Sequence, residues 1–97
     1  MKVNFERMMS AKYSAKSEET NGLTVTANVT VEDGRVSHID GGLVVMPDGV
    51  TVASFTINGS KIVTIFGGVD VADEAVMAAI NGFIAGAKVT AEKGGEA

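Results

Sequence analysis

The chain has 97 residues, of which 45% are hydrophobic and 21% charged, a balance that excludes intrinsic disorder and predicts one folded domain over residues 1–91 with a frayed tail at 92–97. Its formal net charge of −4 argues against a strong nonspecific nucleic-acid binder, and its lack of cysteine excludes disulfides, thiolate metal ligands and a cysteine nucleophile. The start lacks the apolar region of a secretory signal, and no window approaches the roughly 20 apolar residues of a membrane helix, so the sequence predicts a cytoplasmic protein.

The N-terminal segment alternates apolar and polar side chains from Val3 to Lys16. Because successive strand residues point to opposite faces, this period of two predicts one long, half-buried strand. Arg7 and Met8 interrupt the alternation, which predicts a bulge or a bend. A helix is the competing interpretation, since Glu, Arg, Met, Ala and Lys all favour helices, but the apolar spacing fits a strand better.

Residues 23–32, LTVTANVTVE, give the clearest strand pattern, and the Asp33-Gly34 pair that follows predicts a tight hairpin into a third strand. Gly41-Gly42 predicts a bulge, a bend or a close backbone approach within that third strand. The turn also predicts the hairpin register. The predicted opposite pairs are Glu32 with Arg35, Val31 with Val36, Val29 with His38, and Ala27 with Asp40.

Residues 50–66, VTVASFTINGSKIVTIF, predict a fourth and a fifth strand joined by a turn at Asn58-Gly59. With Ile57 opposite Ser60, Phe55 and Phe66 share one face and aliphatic residues occupy the other. A single helix covers one sheet face, so the aliphatic face predicts an interface with a second copy of the chain or with another protein. The predicted interface residues are Val50, Val52, Val63 and Ile65. The alternative is that the chain shields this face itself.

After Gly67-Gly68 the apolar period changes to about 3.6, which predicts a C-terminal helix with Asp70 or Asp73 as its cap. The apolar helix residues include Val76, Ile80 and Phe83, which are expected to pack on the aromatic sheet face. The sequence therefore predicts an α+β fold, in which a five-stranded antiparallel β-meander, bent at Gly41-Gly42, is followed by one helix on one sheet face.

Catalytic and metal-binding patterns are weak throughout the chain. His38 is the only histidine, and Asp40 shares its face in a regular strand, so the two could orient a base or supply two metal ligands. The sequence identifies neither a nucleophile nor a third ligand beside them. The expectation is a protein that is not an enzyme and has no metal site and no cofactor.

The leading functional hypothesis is a small interaction domain, homodimeric or docked on a protein partner, of the kind found among the accessory proteins of bacteria and their mobile elements. In its order of elements the chain resembles small dimeric single-strand-binding proteins of the transcriptional-coactivator type, a resemblance of fold that assigns no residues. The alternative hypothesis is single-stranded nucleic-acid binding through the basic first strand. Its predicted contacts are Lys2, Arg7, Lys12, Tyr13 and Lys16.

Overall fold

The computed structural model describes residues 2–9, 12–20, 22–66 and 72–93, and of residues 7–9 it describes the backbone alone. Within these residues, six strands form one antiparallel sheet in chain order, and a helix follows them. The elements are β1 (Val3–Met9), β2 (Lys12–Ser17), β3 (Thr24–Glu32), β4 (Arg35–Val45), β5 (Thr51–Asn58), β6 (Ser60–Ile65) and α1 (Asp73–Glu92). The α+β meander with a C-terminal helix is confirmed, but the sheet has six strands rather than the predicted five.

The N-terminal segment accounts for the extra strand. It forms a hairpin, in which Val3 lies opposite Ser17 and Met9 lies opposite Lys12. The prediction of one long strand was wrong. In a hairpin of this register both strands show the same alternation of apolar and polar side chains, so the period of two does not distinguish two strands from one. Phe5 and Tyr13, for example, lie on different strands and still share a face, with their ring centroids 4.7 Å apart. The predicted irregularity is present as a shift in register between Phe5 and Arg7.

The β3–β4 hairpin turns at Asp33 and Gly34, which both have positive φ (54° and 74°), as this type of tight turn requires. The predicted pairs nearest the turn, Glu32 with Arg35 and Val31 with Val36, are confirmed. Farther along the hairpin the predicted register is wrong. The cause is a bulge at Ser37, which has no opposite residue on β3.

The bulge at Ser37 changes which residues face His38 and Asp40. The predicted partners were Val29 and Ala27, both of which are buried. Instead, His38 lies opposite Thr30, and Asp40 lies opposite Asn28. The bulge therefore places the only histidine of the chain on the polar side of the sheet.

The Gly41-Gly42 pair lies inside β4, where the pairing with β5 is irregular between Ile39 and Gly42. Gly41 has a φ of 61°, which most side chains disfavour. At Gly42, an added Cβ would lie 2.6 Å from the Phe55 ring, so the ring needs a glycine beneath it. Of the three predicted alternatives, a bulge and a close approach are present at this pair; the bend that the sequence favours stays a prediction.

The C-terminal helix is confirmed and packs on one sheet face. It begins at Asp73, preceded by Ala72, whose side chain makes no capping hydrogen bond. Asp73 and Glu74 place negative charge in the first turn, where the helix dipole favours it. Asp73 is therefore the first helical residue and not the predicted cap, and the other predicted cap, Asp70, lies outside the described residues. Among the described residues, no helix combines the length and the apolarity needed to cross a membrane.

The helix contacts both edge strands of the sheet. In its middle, Asn81 Oδ1 accepts a hydrogen bond from Lys61 Nζ of β6 at 3.0 Å, and Phe83 meets Phe55 of β5 edge to face, with ring centroids 6.0 Å apart. Near its end, Thr90 Oγ1 donates to the Val3 carbonyl of β1 at 2.6 Å. The core lies between the helix and this sheet face. Its largest fully buried side chains include Phe83, Ile39, Ile80, Val25, Val29 and Val76.

Candidate functional site

The β5–β6 hairpin differs from its predicted register by one residue. Asn58 lies opposite Ser60 and Ile57 lies opposite Lys61, whereas the prediction placed Ile57 opposite Ser60. A shift of one residue turns every side chain of a strand to the other face of the sheet. The shift therefore exchanges the two faces of β6 relative to the prediction.

The four predicted interface residues do not form one exposed face. Val63 and Ile65 are partly buried and pack against the core on the helix side. Val52 is also in the core, with 2% of its surface exposed, because it is the extra residue where Val44 faces Ala53 and Val45 faces Thr51. Val50 precedes β5 and is exposed. The chain itself thus shields Val52, and largely shields Val63 and Ile65.

The sheet face away from α1, here called the open face, carries exposed apolar side chains at its β4–β6 end. Leu43 lies opposite Ser54, which lies opposite Thr64, and Ile62 and Phe66 flank Thr64 on the same face. Their exposed fractions are 39% for Leu43, 65% for Ile62 and 59% for Phe66. These three residues, here called the apolar end, are three of the five large hydrophobic residues that are exposed in the described part of the chain.

The sequence did not reveal the apolar end, because β6 alternates without a clear polar side. Ile62 and Phe66 share one face with Thr64, and Val63 and Ile65 share the other with Lys61, so both faces are mainly apolar. Only the turn geometry decides which of these two faces of β6 lies on the helix side of the sheet. The Asn-Gly pair favours a two-residue loop, whereas here Gly59 (φ 77°) lies alone between the paired Asn58 and Ser60.

The outer edge of β6 is the second feature of this region. The Phe66 N–H donates to the Val52 carbonyl, so Phe66, Thr64 and Ile62 direct their backbone groups toward β5. In an antiparallel ladder the direction alternates, and the N–H and C=O groups of Val63 and Ile65 therefore point away from the sheet. No strand of the described part pairs with them.

The residues of the nucleic-acid alternative are not gathered into one surface. Lys12 and Lys16 lie opposite Thr30 and Thr26 on the open face. Tyr13 lies on the opposite face, where its ring packs against Phe5 at an interplanar angle of 31°. Lys2 is exposed just before β1, and the side chain of Arg7 lies outside what the structure describes. A lysine pair without a neighbouring aromatic ring is weak support for binding of unpaired bases.

Lys12 also has a partner of its own. Its Nζ lies 3.2 Å from Asp40 Oδ2, and both side chains are about half exposed (41% and 48%). The other carboxylate oxygen, Oδ1, is buried and has no hydrogen-bond partner among the described residues. This ion pair reduces the positive charge that Lys12 offers to a phosphate.

His38 contacts Ser37 rather than Asp40. The Ser37 Oγ lies 3.0 Å from His38 Nδ1, and it also lies 3.3 Å from the Thr30 carbonyl, to which it can donate. The bulge brings these neighbouring side chains together, an arrangement that the period of two did not predict. Asp40 Oδ2 accepts a hydrogen bond from Lys12 and not from His38. Asp40, His38 and Ser37 therefore do not form a relay from acid to base to nucleophile.

A cleft of about 360 Å³ lies between the β3–β4 turn and the end of α1. Gly34, Arg35, Val36, Lys88 and Glu92 line it, so it offers charges of both signs. Across the described residues, no group of three or more His, Asp or Glu side chains is placed to hold a metal ion. Comparison of the chain with protein-family models, with curated proteins and with solved structures finds no match.

Proposed function

We propose that this protein is a non-enzymatic interaction domain that forms a homodimer through the apolar end of the open face. The observation that carries the proposal is the grouping of Leu43, Ile62 and Phe66 on a sheet face that α1 does not cover. The sequence predicts a homodimer or docking on a protein partner; the proposal keeps the homodimer and takes its residues from the strand pairing. A cytoplasmic location stays a prediction from sequence.

Burial of these side chains supplies the driving force for association. Shielding a large aliphatic or aromatic side chain from water contributes about 1.5–3 kcal/mol. Ile62 and Phe66 are each more than half exposed, so most of this free energy is still available to a partner. The surrounding open-face residues are mainly neutral Ser and Thr, such as Ser54, Thr56 and Thr64, whose burial brings no net charge into the interface.

Solution mass tests the proposal. Sedimentation velocity across a range of concentrations is expected to show a dimer for the parent chain and a monomer for Phe66→Asp. The matched control is Val89→Asp, because Val89 is also an exposed apolar residue (51%) but belongs to α1. The control is expected to remain dimeric. A parent chain that is monomeric at all concentrations, or a Phe66→Asp variant that dimerises like the parent, would overturn the proposal.

The nucleic-acid alternative has less support, since its residues lie on two faces and Lys12 pairs with Asp40. A gel shift with single-stranded DNA at low salt separates the two functions. Retardation that weakens with salt, and that is lost in a Lys12→Ala, Lys16→Ala double variant, would favour nucleic-acid binding. The homodimer proposal predicts no retardation.

A further inference from the structure

Resting on the proposed homodimer, we infer that two copies join edge to edge through β6, with Thr64 of one copy opposite Thr64 of the other. A two-fold axis perpendicular to the sheet passes between these two residues. Six strands from each copy then form one continuous antiparallel sheet, with both helices on the same face. The inference rests on the backbone, on the side-chain sequence of β6 and on the contrast with β1.

The backbone of β6 is available for such pairing. The N–H and C=O groups of Val63 and Ile65 point away from β5, as the direction of the Phe66 bond requires. With Thr64 on the two-fold axis, Val63 of each copy lies opposite Ile65 of the other as a hydrogen-bonded pair. These residues pack against the core on the helix side, so pairing extends each core across the interface.

In this register the side chains of β6 in one copy are complementary to those of β6 in the other copy. Ile62 of each copy faces Phe66 of the other across the axis, as a pair without backbone hydrogen bonds. Side chains approach most closely in such pairs, and an aromatic residue opposite a β-branched one is a favourable combination. The two most exposed apolar residues of the region thus contact each other, while Leu43, on β4, lies two strands away from this contact. The segment Ile62–Phe66 is apolar at both ends and symmetric about Thr64, which favours a second copy of the chain as the partner.

Registers with the axis closer to the Gly59 turn do not achieve this contact. An axis at Val63 places Ile62 opposite Thr64, and Phe66 opposite Ser60. An axis at Ile62 places Ile62 opposite itself and Phe66 opposite Asn58. Since the side chains of Ser60 and Asn58 are polar, each of these registers leaves Phe66 without an apolar partner. The axis at Thr64 is therefore the one that the sequence of β6 favours.

In the part of the chain that the structure describes, this edge also lacks the features that prevent strand addition. Edge strands are commonly protected by charged residues, by proline or by a covering element. Between Ile62 and Phe66 there is neither a charge nor a proline. Lys61 is the one charged residue of β6, and its Nζ bonds to Asn81 on the helix. At the opposite edge, by contrast, the outward carbonyl of Val3 already accepts a hydrogen bond from Thr90.

Single-cysteine variants test the register, because the native chain contains no cysteine. In the inferred dimer the two Thr64 Cα atoms lie about 4.5 Å apart, within the range that a disulfide spans. The variant Thr64→Cys is therefore expected to form a disulfide-linked dimer under mild oxidation. The matched control is Ser60→Cys, which lies on the same face of the same strand but at roughly 27 Å from its counterpart in the other copy. We expect Thr64→Cys to cross-link at least tenfold faster.

Amide hydrogen exchange measured by NMR on the parent chain tests the backbone pairing. The amides of Val63 and Ile65 are expected to become protected as concentration rises, whereas the Thr64 amide, which points toward β5, is protected at all concentrations. If the parent is a dimer but these two amides stay unprotected, or if both cysteine variants cross-link at equal rates, the edge-to-edge inference fails while the proposed homodimer stands. If the parent is a monomer, both fail.

Discussion

The two edge strands of the sheet differ in how the helix covers them and bonds to them. At β1, the helix end lies over the strand, Thr90 bonds to the outward Val3 carbonyl, and Val3 is 1% exposed. At β6, Val63 and Ile65 are only partly buried, and the hydrogen bond to the helix, between Lys61 and Asn81, is exposed. The difference is that the helix bonds to one edge through a buried contact, whereas the other edge is free for the association proposed above.

The largest expected change in the free energy of unfolding distinguishes a core residue from a residue of the β6 edge. Phe83→Ala removes a fully buried ring that meets Phe55, and the cavity is expected to lower the free energy of unfolding by about 3–5 kcal/mol. Urea unfolding at a protein concentration that favours the monomer measures it. The matched control is Phe66→Ala, in which the lost ring is 59% exposed. Equal losses for the two variants would mean that the β6 edge is as much a part of the core as the helix.

The next effect tests the β1 edge. Thr90→Val keeps the shape of a buried side chain but removes the hydroxyl that donates to Val3, and it leaves that carbonyl without its partner. An unpaired buried acceptor is expected to cost about 1–3 kcal/mol, measured by urea unfolding. Thr56→Val, an exposed change on β5, is the control and should stay within about 0.5 kcal/mol of the parent. If Thr90→Val has no effect, the helix does not close the β1 edge in the way described.

The two edges also show what the sequence could predict. The alternation in β3, the Asp33-Gly34 turn and the helical period of α1 each have one dominant local cause, and their predictions are confirmed. The close approach at Gly42 was one of the three alternatives that paired glycines in a strand indicate, and the sequence could not choose among them. The fold class follows from these elements alone.

The open face could not be predicted, because bulges and turns set its composition. The bulges at Ser37 and Val52 each add one unpaired residue, and the one-residue turn at Gly59 shifts β6 by one position. Each shift moves side chains between faces without changing the apolar pattern that the sequence displays. At β6 both faces are mainly apolar, so burial gives no local preference for either register. The residues that the proposed site uses therefore became apparent only from the strand pairing.

The smallest expected effect tests the β6 edge from the helix side. Lys61→Ala removes the exposed bond to Asn81 and is expected to change the free energy of unfolding by less than about 0.5 kcal/mol. The matching single variant is Asn81→Ala, also exposed, which removes the other half of the same bond. Because water can replace each partner, neither change leaves a buried polar group unpaired.

A double-mutant cycle over these two variants measures the coupling between β6 and the helix. We expect a coupling free energy below about 0.5 kcal/mol in urea unfolding. Removal of the one charge on β6 is also expected to leave dimerisation as strong as in the parent, because Lys61 lies outside the segment from Ile62 to Phe66. A coupling well above 1 kcal/mol would contradict the contrast between the edges, since the helix would then hold β6 in place about as firmly as Thr90 holds β1.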